Sequence, residues 1–229
     1  MLGDKTRMND LSRAEAAFIR PSPSAGAYGG VTARTPEAIE VCEAAGFDVV
    51  IVETVGVGQV ESEVAAMTDA FVLLESPSAG DGLQAIKRGS TELADVVVYT
   101  KADLDPVAAQ AACERMNDAL SLLRPASSAW RPRALTVSAP TSQGVAELWS
   151  ELERFQEALA GVGAIVSRRR LQSVRRLGRL IDAELRSRFL GDSVMRERFA
   201  DMEEAVARGD ITPSMAANEL LVLAGRQPG

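Results

Sequence analysis

Four short runs of apolar residues mark the first part of the chain. They are Asp48-Val49-Val50-Ile51-Val52, Ala70-Phe71-Val72-Leu73-Leu74, Asp95-Val96-Val97-Val98-Tyr99 and Ala134-Leu135-Thr136-Val137-Ser138. Short continuous runs rich in Val, Ile and Leu are the pattern of strands covered on both faces. A weaker strand candidate, Ala17-Phe18-Ile19-Arg20, is ended by Pro21 and Pro23. Between the runs the period becomes helical. Thr35, with Pro36 behind it, predicts a helix start, and that helix runs to about Ala45 before Gly46. Further helices are predicted over 83–94, from Pro106 to about Leu123, and over 144–160. Strand and helix in regular alternation predict a parallel sheet sandwiched by helices.

Beyond about residue 161 the strand pattern stops. Leu171, Val174, Leu177, Ile181, Leu185 and Phe189 recur at helical spacing within 164–190. Two more helical segments, 193–208 and 213–224, flank a Gly209-Asp210 turn, and Pro213 suits a helix start. The expected division is an α/β body over 1–161 and a helical extension over 162–229.

Composition narrows the chemistry more than the fold. A hydrophobic share of 46% and a charged share of 25% are those of an ordinary folded protein. No apolar run reaches the ~18 residues of a membrane span, and no basic-then-apolar leader pattern is visible, so a cytoplasmic protein is expected. A net charge of −7 argues against a general nucleic-acid binder. The charge is uneven: residues 164–190 carry eight Arg against Asp182 and Glu184, +6 in all, which leaves −13 elsewhere. Such a stretch reads as a solvated helix face with an apolar stripe used in packing. The chain has no His, which excludes His-based triads and His-ligated zinc. Its two cysteines, Cys42 and Cys113, are too few for a disulfide framework or a four-cysteine zinc site and read as buried small apolar residues. Trp130 and Trp149 read as packing residues.

Candidate chemistry lies at the ends of the predicted strands. The first run leads into Val52-Glu53-Thr54-Val55-Gly56-Val57-Gly58-Gln59. An acid at the carboxyl end of a buried strand stands where open α/β sheets bind ligands. Gly56 and Gly58 let backbone amides approach a phosphate, and Gln59 could orient a water. In nucleotide hydrolases an acid so placed holds magnesium and a following glycine senses the γ-phosphate; a plain turn with two glycines fits the same residues. After the third run comes Tyr99-Thr100-Lys101-Ala102-Asp103. Lys101 can pack over a guanine while the Asp103 carboxylate accepts from its ring N–H and exocyclic amine, although a turn after a strand would also carry such residues. The fourth run ends at Ser138-Ala139, where backbone amides can meet a base oxygen. Three such motifs in order on successive strands match guanine-nucleotide-binding folds.

Longer segments point to one family. They are Gly3-Asp4-Lys5-Thr6-Arg7-Met8, Phe18-Ile19-Arg20-Pro21-Ser22-Pro23, Gly29-Gly30-Val31, Cys42 to Asp48 leading into Glu53 to Gln59, and Ala79-Gly80-Asp81-Gly82-Leu83-Gln84-Ala85-Ile86-Lys87-Arg88-Gly89. In these the sequence closely resembles the methylmalonyl-CoA mutase-associated GTPases of the MeaB/ArgK type, within the G3E group of P-loop GTPases, over essentially its whole length. The resemblance implies a GTPase-like α/β core with a helical extension, GTP or GDP and magnesium as ligands, and a cobalamin-dependent acyl-CoA mutase as the partner that is protected or reactivated. It also implies a homodimer formed through the helical extension. By resemblance Asp4 and Glu53 are acids near the magnesium and Gly56 senses the γ-phosphate. Thr100, Lys101 and Asp103 form the base clamp, with Ser138 and Ala139 in the last base-contacting loop. Residues 80–89 resemble a mobile switch from which Lys87 could reach the nucleotide.

The sequence departs from the family pattern in three places. No GxxxxGK[ST] occurs in the 229 residues, so the phosphate cradle and the first strand of the sheet are not among them. Thr100 stands where the family has Asn, and Gly82 where an acid is usual. The alternative expectation is therefore a hydrolysis-incompetent relative that keeps only partner-docking or dimerising surfaces.

Overall fold

A computed structural model describes residues 8–20, 34–54, 61–77, 88–123 and 127–225. They divide into two compact units, Met1–Arg169 and Arg170–Gly229. The first is built on three parallel strands in the order β1 (Val72–Glu75), β2 (Val96–Tyr99) and β3 (Arg133–Thr136). Val72 stands opposite Val96, and Val96 opposite Arg133. The same unit holds helices α1 (Thr35–Ala44), α2 (Glu61–Ala65), α3 (Arg88–Leu93), α4 (Pro106–Leu122) and α5 (Val145–Gly161), and α4 packs on β2 and β3.

Strand alternation sends the central residues of β2 to opposite faces. Val97 and Tyr99 join Ala112, Cys113, Met116 and Leu120 of α4 in one core, together with Val64 and Phe71. Val96 and Val98 face the other way, against Val137, Trp130, Leu148 and Leu152. β2 is buried along its whole length, and this two-faced burial is what its unbroken apolar run encodes.

The amino-terminal edge of the sheet is pinned by a buried carboxylate. Asp95 accepts from the Phe71 N–H at 2.9 Å. It takes two bonds from the Arg168 guanidinium, at 2.9 and 3.1 Å. Its backbone carbonyl accepts from the Trp130 indole at 2.9 Å. Bonding to Asp95 raises the Arg168 pKa above the usual guanidinium value, against a lowering by burial. Arg168 also lies over the Phe155 ring, 5.5 Å from its centroid. Arg169 pairs with Asp69 and with Glu43, and the bond to Asp69 is the main cause that raises its pKa.

The outer edge of β3 is closed by a side chain. The Asn117 amide donates to the Ala134 carbonyl at 3.1 Å and accepts from the Ala134 N–H at 2.8 Å. Cys113 is buried beside it, and burial pushes its thiol pKa up. Cys42, by contrast, is only half-buried, and Trp149 stands half exposed with its indole bonded to Glu153 at 2.8 Å. Both are therefore less enclosed than their residue types suggest.

Two expected strands do not form among the described residues. Residues 48–52 form no ladder with a described strand, and Ile51 is 84% exposed. Residues 17–20 likewise make no ladder. A strand is a pairing, not a property of a segment alone, and no described strand lies beside either stretch.

α6 (Ala164–Gly191) runs from the first unit into the second. In the second unit, α7 (Ser193–Arg208) and α8 (Pro213–Ala224) pack on each other and bury Met195, Ala216 and Leu220. Asp192 caps α7 through the N–H groups of Val194 and Met195, and Thr212 caps α8 through that of Met215. Gly209 ends α7 in the left-handed conformation. Leu171, Val174, Leu177, Ile181 and Leu185 are about half exposed in the single chain. No helix among the described residues is long and apolar enough to cross a membrane.

Candidate functional site

Two loops leave the carboxyl ends of β2 and β3 side by side. Val137 N–H donates to the Tyr99 carbonyl at 2.8 Å, and Ala102 N–H donates to that of Val137 at 3.1 Å. These bonds bring together Thr100, Lys101, Asp103, Ser138 and Ala139, the five residues expected to hold a base.

The first loop is a tight turn closed by the Leu104 N–H on the Lys101 carbonyl at 3.1 Å. Lys101 adopts a left-handed backbone with φ of 59°. For a side chain with a Cβ that conformation costs about 1 kcal/mol or more, and it persists only where the surroundings hold it. Thr100 supplies one hold, with both its N–H and its Oγ1 donating to the Glu75 carbonyl at 2.8 and 3.1 Å. The turn exposes Lys101 and Asp103, and neither side chain makes a hydrogen bond or ion pair among the described residues. Asp105 does the structural work that an acid here could be expected to do: it caps α4 by accepting from the Ala108 N–H at 2.9 Å. The Asp105-Pro106 pair was the available sequence signal for that role.

The second loop folds on itself. Ser138 is wholly buried, and its N–H is spent on the Gln143 carbonyl at 2.9 Å. Its hydroxyl accepts from the Thr141 N–H at 3.4 Å. Ser138 thus shapes the loop, and its amide has no capacity left for a base oxygen. Ala139 is exposed, and its amide bonds to nothing among the described residues. Ser142 is left-handed, with φ of 60°, and so is Gly144, with φ of 77°. A Cβ at Gly144 would overlap the Thr136 carbonyl oxygen, so only glycine lets the loop return beneath β3. Gly144 escaped the sequence reading because its necessity comes from a backbone eight positions earlier.

The donor set fits a guanine. An unengaged carboxylate, an ammonium and a free backbone N–H match the base's paired donors, its π-face and its carbonyl oxygen. The phosphate and metal side is different. Asp4, Gly56, Gln59 and Lys87 lie outside the described residues. Glu53 is described and exposed, but it bonds to none of the base-loop residues. Among the described residues no three carboxylate, histidine or cysteine side chains converge as metal ligands do.

Residues 1–193 match the family model described as methylmalonyl-CoA mutase-associated GTPase MeaB. The chain belongs to the MeaB family. Within it, a putative GTPase of Caulobacter vibrioides is 46% identical over 98% of this chain and 69% of its own length. GTPase ArgK of Escherichia coli is 43% identical over 96% of this chain and 67% of its own. The mitochondrial methylmalonic aciduria type A homologue of Mus musculus is 44% identical over 96% of this chain and 54% of its own. A crystal structure titled LAO/AO transport system kinase superposes with a TM-score of 0.75 at 37% identity, covering 95% of this chain and 68% of that one. MeaB membership implies guanine-nucleotide binding, and the architecture is that of a P-loop GTPase with a helical carboxyl-terminal region.

Proposed function

We propose that this chain is the guanine-reading part of a GTPase that supports a cobalamin-dependent, methylmalonyl-CoA-type mutase in the cytoplasm. The observation that carries the nucleotide half is the loop after β2: Asp103 and Lys101 stand exposed and unengaged while Asp105 takes the helix cap. An ionised carboxylate only accepts. Asp103 therefore suits the adjacent N1–H and 2-amine of guanine, the Ala139 N–H suits its O6, and the Lys101 stem covers the ring. Bound GTP would supply the γ-phosphate that water attacks with magnesium assistance. Asp4, Glu53, Gly56, Gln59 and Lys87 are the residues this reading assigns to that side.

The test of the base reading is Asp103→Asn in the full chain. The Asn amide can donate to the 2-oxygen of xanthine, where the carboxylate could only accept. GDP affinity is expected to fall about tenfold or more, the scale of a charge-assisted hydrogen bond, and XDP to become the preferred ligand in calorimetric titration. An unchanged preference for GDP rejects Asp103 as the base reader.

The partner half of the proposal rests on the family description and on the half-exposed stripe of α6. That stripe favours a homodimer through residues 165–190. Analytical ultracentrifugation at tens of micromolar is expected to show a dimer, and a monomer for Leu177→Glu/Ile181→Glu. A monomeric wild type, or a dimeric double variant, would place the stripe's role elsewhere.

A further inference from the structure

Thr100 sits at the carboxyl end of β2, immediately before the left-handed Lys101. Its hydroxyl donates to the Glu75 carbonyl at 3.1 Å, and its N–H donates to the same oxygen at 2.8 Å. A threonine hydroxyl has one hydrogen and two lone pairs. The hydrogen is committed to β1, so the side chain can offer a ligand only acceptors. The N7 and O6 atoms of guanine are also only acceptors. No hydrogen bond can form between acceptors, so Thr100 cannot read that edge of the base.

The same two bonds have a second effect. Lys101 holds its strained φ between two anchors: Thr100 on the Glu75 carbonyl before it, and Ala102 N–H on the Val137 carbonyl after it. Removing the hydroxyl releases part of the first anchor without touching any group that faces a ligand. We propose that Thr100 is a positioning residue, which fastens the base loop to the end of β1 and leaves the guanine N7 unread. The inference rests on the guanine reading of the two loops and goes beyond it by naming an atom of the base that this site ignores.

The test is a ligand-observed NMR titration of the full chain, and of Thr100→Ser and Thr100→Val, with GDP, 7-deaza-GDP and ADP. In the wild type, GDP and 7-deaza-GDP are expected to bind within about twofold of each other, less than the two- to tenfold that one neutral hydrogen bond is worth. Thr100→Ser keeps both affinities. Thr100→Val weakens both together by about threefold to tenfold, the same scale, and leaves their ratio unchanged. A tenfold preference of the wild type for GDP over 7-deaza-GDP overturns the proposal, and that measurement needs no variant to fold. Unchanged affinity in Thr100→Val overturns the positioning role. Equal binding of GDP and ADP, or no binding of either, removes the guanine reading and this proposal with it; selectivity for GDP over ADP with strong discrimination at N7 removes the proposal alone.

Discussion

Asp48-Val49-Val50-Ile51-Val52 and Asp95-Val96-Val97-Val98-Tyr99 are nearly the same word, with opposite fates. The second is the central strand of the sheet, with Val96, Val97 and Val98 removed entirely from solvent. The first is unpaired among the described residues and mostly exposed. Even the leading aspartates differ. Asp95 is buried and holds Phe71 and Arg168, whereas Asp48 is exposed and bonds to neither an amide nor a guanidinium among the described residues. An apolar β-branched run states that a segment is fit for the middle of a sheet. Whether it gets there depends on neighbours supplied from elsewhere in the chain.

The comparison breaks most sharply at the centre of each run. Val97→Asp places an unpaired charge between two packed faces, and about 4 kcal/mol or more of stability is expected to be lost, enough to unfold a domain of ordinary stability. Ile51→Asp, one position beyond the matching Val50, is expected to change stability by less than about 0.5 kcal/mol. Urea unfolding followed by circular dichroism compares the two, and similar losses would mean that residues 48–52 are as enclosed as β2. The leading acids give the next contrast. Asp95→Ala strands the Arg168 guanidinium and the Phe71 N–H, at a cost of about 3 kcal/mol, while Asp48→Ala is expected to be neutral in the same assay.

The smallest effect separates the ends of the runs, Tyr99 and Val52. Burial, then the nearby Glu75 and Cys113, raise the Tyr99 pKa above its ordinary value. As pH rises through about 10, the unfolded chain releases the phenol proton while the folded chain keeps it. The unfolded state then binds fewer protons, so stability is complete below that pH and declines as pH climbs toward the folded pKa. Tyr99→Phe is expected to flatten that alkaline decline. An identical decline in the variant would assign it to other groups.

These contrasts also mark how far the sequence could be read. Helices α4, α7 and α8 were legible to within about a residue, because their caps and prolines lie within a turn of the ends they define. The two strand-end loops were legible as loops because Lys101, Asp103 and Ala139 lie within a few residues of strands that do form. The unpaired state of 48–52 was not legible, since strand formation is decided across the sheet. The Arg168–Asp95 pair spans 73 positions, and no local pattern announces it. Ser138 was assigned an amide for the base because its proximity to the loop was visible, but its commitment to Gln143 depends on how the loop closes.

The Asn117 amide on Ala134 has a consequence for how this sheet can grow. A carboxamide carries the same donor and acceptor as a peptide group, so along β3 it imitates the first link of a further strand and then stops. On that flank a wandering chain finds its template already taken, a common safeguard against edge-to-edge polymerisation.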